Sequence, residues 1–170
     1  IPIDDSKVDS ESIRYYLNKI DSGVNVLCIF DCCNSGTVCN LKYHLFDTSY
    51  RKDVRVKLKS FNENHYIQRQ SYKVSPKTQI YKSIGVETDA NIISISGCWD
   101  DEVSFDLGRN GALTMVLLAT LNERGLNLDF KSLLQNLRGR ITQLRLKQNP
   151  QIMLGNQTDL NVSLKSFLKI

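Results

Sequence analysis

The run Val24-Asn25-Val26-Leu27-Cys28-Ile29-Phe30 constrains the fold more than any other part of the chain. It is almost continuously apolar and stops abruptly at Asp31-Cys32-Cys33-Asn34-Ser35-Gly36. A strand with no polar face is predicted to lie in a mainly parallel sheet covered on both sides by helices. In open α/β sheets ligands bind at the carboxyl ends of the strands. A cysteine in the turn after such a strand would sit on the floor of a cleft. The turn could aim backbone N–H groups at a developing oxyanion. Asp31 beside it could grip a cationic group. A cysteine is equally a small buried hydrophobe, so the residue types alone leave nucleophile and packing roles open.

The flanking pattern is also α/β. Asp9 or Ser10 can cap a helix with Ile13, Tyr16, Leu17 and Ile20 on its apolar face, ended by Gly23. Asn91 to Ser96 reads as a second buried strand closed by Gly97. Gly111 to Leu121 is apolar nearly all round and is predicted to be a well-buried helix. Phe130, Leu133, Leu134, Leu137, Ile141 and Leu144 give an amphipathic helix with Asp129 as its cap. Pro150 to Gly155 reads as a short last strand. Between these lies a polar stretch, residues 37–90, where only Val54 to Leu58 alternates as an edge hairpin would.

The 170 residues suit one domain, and a chain of this length buries roughly 70% of its unfolded surface without needing disulfides or metals. With 41% hydrophobic and 24% charged residues, the composition excludes disordered and collagen-like chains. No run approaches the ~20 apolar residues of a membrane span, and no signal-peptide pattern opens the sequence. The opening Ile1-Pro2-Ile3-Asp4-Asp5 lacks a methionine and reads like a domain interior. The five cysteines form no Cys-x-x-Cys pair, which argues against zinc. The expectation is a cytoplasmic protein with reduced thiols. The net charge of +4 is uneven: residues 51–82 hold nine Lys/Arg against Asp53 and Glu63, so the remainder is near −3. That segment reads as a solvated surface. It carries no helix-turn-helix pattern that would favour nucleic acid.

Phe30-Asp31-Cys32-Cys33-Asn34-Ser35-Gly36-Thr37-Val38 resembles the metacaspase motif D-[SC]-C-H-S-G-[ST]. Ile1-Pro2-Ile3-Asp4 precedes it at a suitable distance. The segment from Ile95 to Asp106 is similar to the family's S-[AG]-C-x-D-x-Q-T-S-A-D. Asn110-Gly111-Ala112-Leu113-Thr114 resembles its helix start, and Ser132 to Arg138 and Gln148-Asn149-Pro150-Gln151 resemble its closing segments. The likeness spans almost all of the chain except residues 41–90.

This resemblance implies a caspase-like three-layer α/β/α sandwich over residues 1–170, incomplete at its N-terminus. Residues 1–40 would end the large-subunit-like part, 41–90 form a variable basic junction, and 91–170 make the small-subunit-like part. It implies a cysteine endopeptidase with a Cys-His dyad, in a family associated with programmed cell death. Cys33 would be the nucleophile and Asp31 the acid that receives an Arg or Lys side chain before the scissile bond. The family's base is a histidine in a His-Gly segment upstream of the cysteine motif. This sequence contains only His44 and His65, both downstream, so the preceding part of the same domain is the expected partner that supplies it. The family's calcium carboxylates correspond to Asp9, Glu11 and Asn40, a set with reduced negative charge, so a weakened calcium site is expected. Autoprocessing after Arg51, Lys52, Arg55, Lys57 or Lys59 is a further expectation. Asn34 in place of the motif histidine leaves an alternative open, a catalytically inactive homologue acting as a binding or regulatory protein.

Overall fold

The structure, a computed structural model, describes residues 9–32, 38–47, 71–73, 78–82, 85–98, 104–106 and 110–170. It opens with helix α1 (Ser10–Leu17). Asp9 caps it, accepting the Ser12 N–H at 2.7 Å. The helix is shorter than the apolar spacing predicts. Asn18 closes it, and Gly23, at φ +81°, instead makes the turn into the first strand. Tyr16 points into solvent, while Leu17, Ile13 and Ile20 face the sheet.

Among the described residues, six strands follow in one mixed sheet: β1 (Asn25–Phe30), β2 (Tyr43–Asp47), β3 (Ser71–Lys73), β4 (Thr78–Lys82), β5 (Asn91–Ser96) and β6 (Gln151–Leu154). Their order is β1-β5-β6-β2-β4-β3. β1 and β5 run parallel, with Cys28 opposite Ser94 and Phe30 opposite Ser96. The other four pairs are antiparallel. The sheet is therefore mixed rather than mainly parallel: three of these four pairs involve β2, β3 or β4 from the stretch read as a polar junction, and β6 runs antiparallel to β5 as well. Tyr43 and Leu45 carry enough apolar surface to enter the core, and both are almost fully buried there. The hairpin expected over Val54 to Leu58 lies outside the described residues.

Burial of β5 is as the sequence predicts, with Ile92 to Ser96 all buried. β1 differs. It is an edge strand among the described residues, and Ile29 is 46% exposed. An unpaired edge leaves one side of the strand open, whatever its apolar content.

Helix α2 (Ala112–Arg124) and helix α3 (Phe130–Gln143) pack on one face with the short helix α4 (Leu164–Leu168). Their side chains join Leu45, Ile93, Ile95, Ile152 and Leu154 in the larger core. The opposite face carries α1 and a smaller cluster built on Leu17, Cys39, Leu41, Ile92 and Met153. Alternation along the strands serves both layers: Ile93 and Ile95 face one way, Ile92 the other. The result is the expected α/β/α sandwich. α2 is less enclosed than its apolar composition predicts, because Leu118 and Met115 lie on its outer side.

α3 starts as predicted. Asp129 accepts the Ser132 N–H at 2.8 Å and the Ser132 hydroxyl at 2.9 Å. Asp129→Ala is therefore expected to cost about 1 kcal/mol of stability, read as a lower urea midpoint with an unchanged slope.

Candidate active site

Asp31 follows directly on β1, and its neighbours come from both halves of the sequence. β1 and β5 end side by side, joined beyond the ladder by the Gly97 N–H donating to the Phe30 carbonyl at 3.0 Å. Parallel strands that end together leave a crevice at their carboxyl edge. The Asp31 carboxylate lies there, half-buried.

Its two oxygens are both engaged. Oδ2 accepts the Thr114 N–H at 2.8 Å. Oδ1 accepts the Ser104 hydroxyl at 3.2 Å. Thr114 is in the first turn of α2, whose N-cap, Gly111, has no side chain to bond the orphan amides. Asp31 therefore caps this helix from 83 residues upstream, with its negative charge at the positive end of the helix dipole. Gly111 leaves the room: a Cβ there would lie under 3.0 Å from the Asp31 carboxylate.

Gln148 completes this side of the crevice. Its Oε1 accepts the Phe105 N–H at 3.0 Å, and the Phe105 carbonyl accepts the Ala112 N–H at 2.7 Å. The segment before α2 is thus pinned to the strand ends. A Cβ on Gly97 would fall 2.9 Å from Gln148 Nε2 and 3.4 Å from Asp31 Oδ1, so glycine lets the two side chains approach the same point. Gln151, opposite Ser96, donates from Nε2 to the Cys98 carbonyl at 2.8 Å. The Cys98 thiol in turn donates to the Cys32 carbonyl at 3.5 Å. Arg138, almost fully buried, holds the approach to β6 by donating from Nε to the Pro150 carbonyl at 2.9 Å.

Among the described residues, three buried polar atoms in this region have no hydrogen-bond partner: Ser96 Oγ, Gln148 Nε2 and Gln151 Oε1. Buried polar atoms are satisfied in the great majority of cases.

Of the residues singled out from the sequence, Asp31 stands at this crevice and Cys32 is exposed beside it. Cys33 lies outside the described residues, as do Arg51, Lys52, Arg55, Lys57, Lys59 and His65. His44 is a core residue of β2. Burial pushes its imidazole down to about 4, so it is neutral at ordinary pH. Asp9 is exposed and committed to capping α1. Asn40 sits at φ +44° with its carbonyl accepting the Val86 N–H at 2.7 Å. Among the described residues no three His, Cys, Asp or Glu side chains come together as a metal-binding group.

Ser104, Thr114 and Gln148 were not assigned roles by the residue pattern. One signal was present: a helix preceded by Asn110-Gly111 lacks its own capping side chain, so its acceptor must come from elsewhere.

Comparison with known proteins agrees with this architecture. The caspase domain family profile matches residues 2–161. Metacaspase-1 of Lodderomyces elongisporus is 28% identical over 166 residues, covering 82% of this chain and 36% of the relative. Metacaspase-1 of Scheffersomyces stipitis is 26% identical, covering 91% of this chain and 44% of the relative. Metacaspase-3 of Trypanosoma cruzi is 23% identical, covering 90% and 40%. The chain thus spans less than half the length of these relatives. The crystal structure of protein GSU0716 from Geobacter sulfurreducens has the same fold, with a TM-score of 0.55 and 22% identity over 92% of this chain and 57% of that one. A profile match over nearly the whole chain, joined to an α/β/α sandwich with Asp31 at its parallel strand ends, shows that this chain belongs to the caspase domain family.

Proposed function

We propose that the protein is a cysteine endopeptidase of metacaspase type that cleaves peptide bonds after Arg or Lys. The observation that carries this reading is the Asp31 carboxylate at the joint carboxyl ends of β1 and β5, one residue before the Cys32-Cys33 pair. A carboxylate oxygen has two lone pairs, so Asp31 can accept guanidinium N–H groups in addition to the Thr114 and Ser104 bonds. A planar guanidinium suits such an acceptor better than any neutral side chain.

In this mechanism Cys33 is the nucleophile. Its thiolate attacks the carbonyl after the basic residue, and a thioester forms as the amine leaves. Water then releases the acid product. A thiol near its ordinary pKa of about 8.5 is only a few per cent thiolate at pH 7, so an adjacent base is needed. His44 is enclosed in the core and is not that base. The base in this reading is a histidine outside residues 1–170, supplied by a preceding part of the same domain. The exposed apolar edge of β1 is a surface such a part would cover. Autoprocessing after Arg51, Lys52, Arg55, Lys57 or Lys59 belongs to the same reading. No step is routed through calcium.

The test is hydrolysis of an arginyl fluorogenic peptide by the full-length protein, its Cys33→Ala variant and residues 1–170 alone, each with calcium or with chelator. Turnover by the full-length protein that disappears in Cys33→Ala is the expected result, with residues 1–170 nearly silent. A folded full-length protein inactive on arginyl, lysyl and aspartyl peptides would overturn the reading in favour of a non-catalytic relative. Cleavage within residues 51–59 that persists in pure Cys33→Ala protein would remove the autoprocessing proposal.

A further inference from the structure

Gln148 is a buried side chain with one end engaged and the other end idle. It is only 3% exposed. Its Oε1 accepts the Phe105 N–H at 3.0 Å. Only the oxygen of a carboxamide can accept from an N–H, so this bond fixes which way the amide points. Nε2 is therefore a donor, and it has no partner. A buried donor without an acceptor is costly, so a guest that accepts from it is favoured at this point.

The idle end stands beside the candidate substrate acid. A Cβ placed on Gly97 would lie 2.9 Å from Gln148 Nε2, 3.4 Å from Asp31 Oδ1 and 3.4 Å from the Leu113 Cβ. Donor and acceptor thus border one space above the Gly97 backbone, with buried Leu113 as its apolar wall. They do not bond to each other. A basic side chain brings only donors, so neither a guanidinium nor an ammonium can meet Nε2 directly. A water can. It accepts from Nε2, donates to Asp31 Oδ1 and keeps a lone pair for an incoming N–H. That makes three hydrogen bonds, the usual number for a buried water.

Resting on the reading of this crevice as the pocket for a basic residue, we propose that Gln148 is its specificity-determining residue. Gln148 holds a water against Asp31, and that water lets the pocket take lysine as well as arginine. An arginine side chain is long enough for its forked N–H groups to meet the carboxylate itself. A lysine side chain ends one bond earlier in a compact ammonium. The water spans the difference, because a bridging water is nearly as good a partner as a direct hydrogen bond. Without Nε2 the water loses one of its two protein anchors, and lysine loses more than arginine. Gln148 also pins Phe105, whose neighbour Ser104 donates to Asp31. That second role supports both substrates equally, so the preference between them reports on Nε2 alone.

The experiment compares hydrolysis of matched arginyl and lysyl fluorogenic peptides by the full-length protein. Gln148→Leu should lower kcat/KM on the lysyl peptide by a factor of about 10 more than on the arginyl peptide. Gly97→Ala fills the same space from the backbone and should give the same selective loss, which keeps the test open if Gln148→Leu does not fold. Ser104→Ala loosens Asp31 without touching Nε2 and should lower both peptides alike. Equal losses on the two peptides in either folded variant, Gln148→Leu or Gly97→Ala, would overturn the proposal and leave Gln148 as a support for Phe105. So would a Ser104→Ala protein with the same change of preference. Silence of the unaltered protein on both peptides would sink the peptidase reading instead. Binding of n-butylamine and n-butylguanidine to the full-length Cys33→Ala protein, followed by NMR, then decides for Gln148 without turnover. Adding Gln148→Leu should weaken the amine selectively, and equal weakening of the two would overturn the assignment.

Discussion

Replacing Asp31 by alanine is expected to destabilise the protein by about 3 kcal/mol. The change removes the cap of α2 and leaves the Thr114 N–H without an acceptor. A lost cap costs about 0.5–2 kcal/mol, and an orphaned partly buried donor adds roughly 1–3 kcal/mol. The Ser104 hydroxyl loses its acceptor as well. Asp31→Asn separates this structural part from the proposed substrate role. An asparagine oxygen still accepts the Thr114 N–H, so most of the stability should remain. The negative charge is gone, and breaking a buried ion pair from one side costs about 3–5 kcal/mol. Hydrolysis after arginine by the full-length protein should fall by a factor on the order of 10²–10³ in kcat/KM. Unchanged arginyl turnover in Asp31→Asn would show that the carboxylate serves as a cap alone.

Gly111 supplies an independent check on that cap. A Cβ at this position would overlap the carboxylate, which is short and held by two hydrogen bonds. Gly111→Ala should therefore push Asp31 off the helix terminus, at a cost of about 1–3 kcal/mol. In an Asp31→Ala background there is no carboxylate to displace, and the same substitution should cost little. Additive effects in this double-mutant cycle would mean that the two residues do not act through one contact.

The second large effect is a dependence of stability on pH through His44. Its imidazole sits wholly inside the core and its folded pKa is about 4, against 6.5 when exposed. Desolvation penalises the charged ring, so the folded state binds the proton less readily than the unfolded chain does. Above pH 6.5 neither state is protonated and the full stability is present. As the pH falls from 6.5 towards 4 the unfolded chain takes up the proton first, and stability is lost across that window. The total loss is roughly 3 kcal/mol, and it levels off below pH 4. Denaturant unfolding of the protein and of His44→Met at several pH values isolates this contribution. Equal slopes for the two proteins between pH 4 and 6.5 would contradict it. The same burial explains why His44 is no candidate for the base.

Local signals were the ones legible in the residue pattern. Asp129 before Phe130 located the start of α3, because a cap and the amide it receives lie three residues apart. β5 and β6 were legible as short apolar runs, since burial on both faces leaves no polar alternation. Tyr43 to Asp47 went unread as a strand. Polar and basic surroundings mask its period, and its strand character comes from pairing with β4 and β6. Sequence order likewise does not reveal that β1 lies at an edge, where Ile29 meets solvent.

The candidate site divides in the same way. The sequence by itself determined the family, through several ordered segments, and placed Asp31 beside the Cys32-Cys33 pair at the end of an apolar strand. Only the tertiary structure decided what surrounds that acid. Thr114 and Ser104 reach it across 83 and 73 positions, and Gln148 lies near it because the register of β6 on β5 brings the segment before Gln151 to the same edge. Short-range periodicity and capping are written within a few residues of each other. Contacts such as these depend on how separate elements align, which is set by the burial of the whole sheet and is not encoded in any one segment.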